Sequence, residues 1–540
     1  MSQSTPKKAE ASGAVPQTTA SQRRWILLAT SLGLLAVMVS VSGLNVAQQA
    51  LAADIGASQS QLLWIINGFT VALAATLLPL GALGDRVGRK MVLVAGLAAF
   101  AGLNLASAFA GDPVLLIGLR IAMGVAAALI MPTTLSTITA AFPPEERGRA
   151  VGVWTGVAGG GGVIGLISSA ILIDYASWQW VFAAPILVAL TALAITIPMV
   201  PNSHEPAEGR FDLVGSFISL FAVGGIVLGI HEGPEQGWSA PITVASIATG
   251  VIALVGFILW ENRQRFPLLD ISVFKNRNLS AGALSLTVMF ALIIGMFLVM
   301  IQFLQAVLGF SAIRSAIAML PMMGGLMFIS PISPRIAARL GYRTTMIGAL
   351  LAATASLGWM ALVPDSPSYT NVLPGLVLLG LALGVAMTPS TTAITESLPA
   401  DKQGVASALN DTVREVGGAI GVALIGSILA AGYRDGISDT ADSLDPEVGR
   451  TVQEGIGGAL SAAGQLEPDS ANELIGSAQE AFMNGWGNAM TFAAAIAFAT
   501  AVIAARLIPR ETPSTRVPVA NVPAALVADD APERTLVTVN

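Results

Sequence analysis

Fourteen separate runs of about 20 predominantly apolar residues leave this chain few folds to choose from, because each is long enough to cross roughly 30 Å of hydrocarbon as a helix. They fall at 25–46, 60–83, 91–110, 114–141, 149–173, 178–200, 212–231, 240–260, 280–306, 314–337, 344–363, 372–397, 404–431 and 488–508. Within lipid every backbone N–H and C=O must be paired inside the protein, so only helices or closed barrels can span it. Runs of this length select helices. Of the 540 residues, 11% are charged, against roughly 25% in soluble domains, and the reading is an all-α polytopic membrane protein.

An even number of spans puts both termini on one side. With the N-terminus inside, 22 of the 27 Lys and Arg lie on the inner side; the others are Arg434 and Arg450 in an outer loop, Arg314 near an outer helix end, and Arg120 and Arg414 within spans. That asymmetry predicts cytoplasmic termini in a cell (inner) membrane. The polar stretch 1–22 reads as a disordered tail rather than a cleaved signal, and 511–540 as a second tail. The outer loop 432–487 carries ten Asp and Glu but only two Arg, and reads as a solvated pair of short helices. With no Cys and two His, a disulfide is excluded and a metal centre is not expected. No hydrolase triad and no phosphate loop is present, so neither enzyme chemistry nor ATP as an energy source is expected, nor any cofactor or nucleic-acid partner.

Three motifs carry more specific information. "GALGDRVGRK" (Gly81 to Lys90) sits between the second and third spans, where Gly81, Gly84 and Gly88 permit a tight connection and Arg86 and Arg89 hold it inside. Asp85 there can pair with these bases or cap a neighbouring helix. "ARLGYR" (Ala338 to Arg343) repeats the pattern after the tenth span, as an internal duplication would. In the fourth span, Arg120 shares a face with Leu116, Gly124 and Ala128, and a buried Arg needs a polar cavity or a partner.

This pattern resembles the major facilitator superfamily, and the fourteen spans resemble its drug:proton antiporter family with fourteen transmembrane helices. "LNVA" (Leu44 to Ala47), "LLWIINGFTVALAATLLPLGALGDRVGRK" (Leu62 to Lys90), "SWQWVF" (Ser177 to Phe182) and "GFSAIRSAIAMLP" (Gly309 to Pro321) strengthen the likeness over residues 25–508. The resemblance implies a major facilitator fold: a six-helix bundle at 23–202, two inserted helices at 203–262, and a second six-helix bundle at 263–510. It also implies alternating access and proton-driven export of a lipophilic or cationic compound by a monomer. Two positions depart from the family pattern: Ser40 stands where an Asp is common in the first span, and Leu166 replaces the Pro after Gly165 in the fifth. Gly152, Gly156, Gly165 and the run Gly159 to Gly162 still favour close helix packing, and the glycine run offers flexibility in place of a proline bend.

The thirteenth span carries Asp411, Arg414 and Glu415 on one side of its helix. Once Arg414 pairs with one carboxylate, the other is left to exchange a proton or meet a cation; the alternative is an ion pair that only neutralises itself. Arg120, Asp411, Arg414 and Glu415 are therefore the candidate coupling residues. Candidates for the substrate cavity are Asn45, Gln48, Gln49, Trp64, Asn67, Trp154, Gln302 and Gln305, as few placed polar groups among apolar ones suit amphiphilic ligands. Trp25, Trp178 and Trp180 are expected in the interfacial belt. The alternatives are an exporter of lipid or hydrophobic metabolite with weak or no proton coupling, and a transporter-like membrane sensor.

Overall fold

The computed structural model describes residues 18–203, 210–364 and 367–509. All of the regular structure among them is helical: α1 (Ala20–Ile55), α2 (Gln59–Val87), α3 (Arg89–Ala108), α4 (Pro113–Ala141), α5 (Pro144–Tyr175), α6 (Ala183–Met199), α7 (Leu213–Gln236), α8 (Pro241–Glu261), α9 (Arg277–Gln302), α10 (Ala312–Ala318), α11 (Leu320–Ile329), α12 (Ser333–Leu340), α13 (Tyr342–Ala361), α14 (Tyr369–Thr395), α15 (Gln403–Asp442), α16 (Pro446–Glu454), α17 (Ile456–Ala463) and α18 (Pro468–Leu507). Fourteen helical segments are long and apolar enough to cross a membrane, α10 and α11 together forming the tenth. Most of the expected tails lies outside the described residues. α1 begins at Ala20, where the Thr19 hydroxyl accepts from the Gln22 N–H and caps it.

Helices α1 to α6 pack on one another around two apolar clusters, and α9 to α18 around a larger one that Leu78 and Ala82 of α2 and Val163 of α5 join. Between them stand α7 and α8. Gly225 lies against Gly250, and Gly229 against Ile247, so the two backbones approach as closely as small residues allow. α7 also packs on both α2 and α15, placing the inserted pair across the seam between the bundles. At one end of this pair Asp212 caps α7, accepting from the Gly215 N–H at 2.7 Å, and accepts from the indole of Trp260 on α8 at 3.0 Å.

The duplicated motif reappears in the backbone. α2 passes directly into α3 at Gly88 (φ 115°), and α12 into α13 at Gly341 (φ 83°). These are equivalent positions of the two motif copies, and both need a conformation that a side chain rarely tolerates.

Several segments differ from the sequence expectation. The tenth span is not one helix: it breaks at Met319 and again before Ser333, next to Pro321, Pro331 and Pro334, whose missing N–H groups interrupt the ladder. The thirteenth and fourteenth helices run well past the expected ends at 431 and 488, to Asp442 and from Pro468. Gly432 meets Gly485 and Gly436 meets Ala481, so the helices stay in contact after the apolar sequence stops. The acidic segment 432–487 is therefore mostly helix, with α16 and α17 packed on it through buried Val452, Ile456 and Ala459. Trp178 is buried rather than interfacial: its indole donates to Asp54 at 2.7 Å and ties α1 to the turn opening α6. α5 is continuous from Pro144 to Tyr175, and its glycine run serves packing, Gly159 against Leu326 and Gly161 against Met38.

Candidate functional site

The first half of α15 places Ser407, Asn410, Asp411 and Arg414 in fully buried positions. One helical turn separates Asp411 from Arg414, and the guanidinium reaches back so that Nη1 donates to Asp411 Oδ1 at 3.2 Å. Asn410 Nδ2 donates to the same oxygen at 3.1 Å. The rest of the cluster is left over: Asp411 Oδ2, Asn410 Oδ1, Ser407 Oγ and Arg414 Nε are buried with no hydrogen-bond partner among the described residues. Glu415, half-buried, makes no hydrogen bond there either. With both carboxylates ionised the cluster holds two negative charges and one positive. One proton or one cation bound there makes it neutral, which the low-dielectric surroundings favour.

Two aromatic rings complete the surroundings of Arg414. Its Cζ lies 4.5 Å from the ring centre of Phe290 on α9 and 5.0 Å from that of Trp154 on α5. Trp154, expected on a cavity wall, is wholly buried, and its Nε1 donates to Thr134 Oγ1 on α4 at 3.0 Å. Through Trp154 the first bundle thus reaches the charge cluster directly.

Between this cluster and the face that carries both ends of the described chain, the bundles are in close contact. A Cβ at Gly81 would fall on Ala408 and the Gly404 carbonyl, and one at Gly152 on the Ser330 carbonyl. Gly156 rests on Met327, and Gly148 on Pro334. Asp85 accepts from the Gly404 N–H at 2.8 Å and 2.7 Å and from the Val405 N–H at 3.3 Å, filling the unpaired donors at the start of α15. Arg89 holds that carboxylate from behind at 3.0 Å and donates to the Ala400 carbonyl at 3.3 Å. The motif aspartate therefore both pairs with a base and caps a helix of the other bundle. Arg86 stacks over Phe211 at 5.4 Å. Gly84 stands close to Thr133, and Gly165 packs on Val39 and Ser42 of α1.

Arg120 is set differently. Its Nε donates to the Ile65 carbonyl at 2.9 Å, its Nη1 to Ser40 Oγ at 3.4 Å, and its Cζ stands 4.5 Å from the ring centre of Phe69. Ser40 donates in turn to Asn104 Oδ1 at 3.4 Å. Among the described residues the ion pairs are Arg23–Glu146, Arg89–Asp85 and Arg414–Asp411, so no carboxylate faces Arg120.

The remaining candidates are dispersed. Gln48, Trp64, Asn67 and Gln302 are half-buried, and Gln305 is exposed in the π-helical turn that ends α9. The side chains of Asn45 and Gln49 lie outside the described residues. A cleft of about 510 Å³ opens on the end-bearing face, lined by Gly148, Asn276, Pro334, Tyr342 and Glu396. Phe290, Thr134 and the first amides of α15 were not singled out by the sequence, since each gains its role from a partner on a distant helix.

The sequence profile of the Major Facilitator Superfamily matches residues 30–422. The tetracenomycin C resistance and export protein of Streptomyces glaucescens is 31% identical over 491 residues, covering 89% of this chain and 91% of that protein. The multidrug efflux pump LfrA of Mycolicibacterium smegmatis is 32% identical over 496 residues, covering 90% and 97%. Among solved structures, the proton:xylose symporter XylE aligns with a TM-score of 0.60 at 13% identity, over 91% of this chain and 96% of that one, a likeness of fold.

Proposed function

The chain belongs to the major facilitator superfamily, and from that premise we propose that it is a membrane exporter of lipophilic or cationic small molecules that works by alternating access and exchanges its substrate for protons. Relatives named for efflux and resistance support export. The observation that carries the coupling is the cluster on α15, where buried Asp411 and half-buried Glu415 outnumber the one buried cation, Arg414. In this reading Asp411 and Glu415 share one exchangeable positive charge. A proton fills it during the return step, and a cationic or proton-displacing substrate fills it during export.

The seal on the end-bearing face makes this conformation the one closed to that side. In this reading that side is the cytoplasm, which the lysine and arginine asymmetry supports, and the substrate would be released outward from this state. Opening inward then requires Gly404 and Val405 to leave Asp85, and α11 to leave Gly152 and Gly156. The motif residues Gly81 to Arg89 and the α5 glycines would set the energy of that step. Gln48, Trp64, Asn67 and Gln302 would supply polar and aromatic contacts in the open cavity.

The test is substrate-dependent proton movement in proteoliposomes, comparing the unaltered chain with Asp411→Asn and Glu415→Gln. Each variant should lose proton movement and gradient-driven accumulation while inserting at normal level. Full export by both variants and by the double variant would contradict the coupling. Because Arg120 faces Ser40 and no carboxylate, a second reading is export without proton exchange, and gradient-independent flux would support it.

A further inference from the structure

We infer that Trp154 is the positioning residue through which the first bundle holds the charge cluster, gripping Arg414 across the seam and thereby keeping the cytoplasm-side face closed. The inference rests on the alternating-access reading and adds to it a named link between cluster and seam. Arg414 belongs to the second bundle, and so do its ion-pair partner Asp411 and one of its two rings, Phe290. Trp154 alone of these comes from the first bundle.

The indole is well suited to the task. Its hydrogen bond to Thr134, whose own hydroxyl donates to the Met131 carbonyl at 2.7 Å, fixes the ring plane against α4. Trp154 also lies on the helix whose glycines seal the same face: Gly152 and Gly156, two residues to either side in sequence, meet Ser330 and Met327 of the second bundle. Side-chain grip and backbone packing therefore act at one level of α5. A guanidinium over an indole face is held by the ring's negative quadrupole, an attraction that strengthens where water is excluded, and both groups here are buried. Arg414 Nε has no hydrogen-bond partner among the described residues, so the two rings add attraction that no further hydrogen bond supplies.

If this grip holds the seam, separating the bundles must break it, and weakening the ring must favour the opened form without altering α15. The chain contains no cysteine, so two can be introduced for spin labels at exposed positions flanking the seam, Glu145→Cys and Arg339→Cys. Distance distributions at fixed pH then give the ratio of open to closed face. Trp154→Leu should raise that ratio about tenfold, equivalent to about 1.4 kcal/mol, and Trp154→Phe should raise it less. Site-specific fluorination of the indole keeps its shape while draining its negative face, so the ratio should climb with each added fluorine. Arg414→Gln should remove that dependence.

A ratio that responds to Trp154→Leu but not to fluorination would mean packing alone and would overturn the inference. So would a fluorine dependence that survives Arg414→Gln. The result is separable from proton coupling: a fluorine-dependent ratio in a chain that moves no protons in liposomes leaves the grip standing and removes the antiport reading.

Discussion

Arg120 and Arg414 are both buried well inside membrane-spanning helices, one in each bundle, and their surroundings differ in kind. Arg414 has a carboxylate at 3.2 Å, with a second carboxylate one position along the chain. Arg120 has a backbone carbonyl, a serine hydroxyl and a phenyl ring. Each arrangement stabilises a buried cation, yet only one contains groups that can change charge. Arg120, the Arg of the fourth-span motif, is thus held by dipoles and so is fixed in its role, whereas the Arg414 cluster can take up a proton or another cation and so can respond to what arrives. In the proposed exchange this difference would put coupling in the second bundle and leave the first to supply contacts, Trp154 and Asp85 among them.

The comparison can be broken by substitution. The largest effect is expected from Arg414→Leu, which strands Asp411 without its countercharge; breaking a buried pair in this way costs about 3–5 kcal/mol, seen as a lower unfolding temperature in detergent. Arg120→Leu removes a cation with no carboxylate to strand, and should cost about 1–3 kcal/mol, the usual range for leaving buried polar groups unpaired. A larger loss for Arg120→Leu than for Arg414→Leu would reverse the assignment of roles. Ser40→Asp would give Arg120 a carboxylate in place of a hydroxyl, and because desolvation of a buried pair offsets most of its attraction, the unfolding temperature should change less than in either leucine variant. The same variant should suppress the destabilising effect of nearby changes at Asn104, measured as a non-additive double-mutant cycle.

A smaller effect is expected at the seal. Asp85→Asn keeps one acceptor for the Gly404 N–H but loses the charge facing the start of α15 and the pair with Arg89. It should shift spin-label distances across the end-bearing face towards the open form several-fold, by an amount comparable to about 1 kcal/mol. Smallest should be Asp54→Asn, which leaves an acceptor for the Trp178 indole at an exposed position. Export rates there should stay within a factor of two.

The sequence made much of this legible where the determining interactions are local. Apolar runs count the spans because lipid imposes one length on each of them. The pairing of Asp411 with Arg414 follows from three-residue spacing on a helix, and the tight junctions at Gly88 and Gly341 follow from their repeated motif. What escaped it depends on distant partners. Nothing local to Trp154 says that it meets an arginine 260 positions later, and nothing in "TVMF" marks Phe290 as the opposite ring. Hydropathy ended the last two spans too early because Arg434, Asp435 and their neighbours are polar, while Gly432 and Gly485 let the two helices continue side by side. Trp178 was misplaced for the same reason: its position at a helix end suggested the membrane interface, and Asp54 on α1 captured it instead.

The central claim is that the α15 cluster holds one exchangeable positive charge. Its most direct test is the number of protons released when a lipophilic cation, ethidium as the probe, binds to the purified protein, measured as a pH change in weakly buffered solution. The account predicts release of about one proton per bound cation by the unaltered chain, and none by the Asp411→Asn, Glu415→Gln double variant. Equal proton release by both proteins, or binding by the unaltered chain without any release, would contradict it.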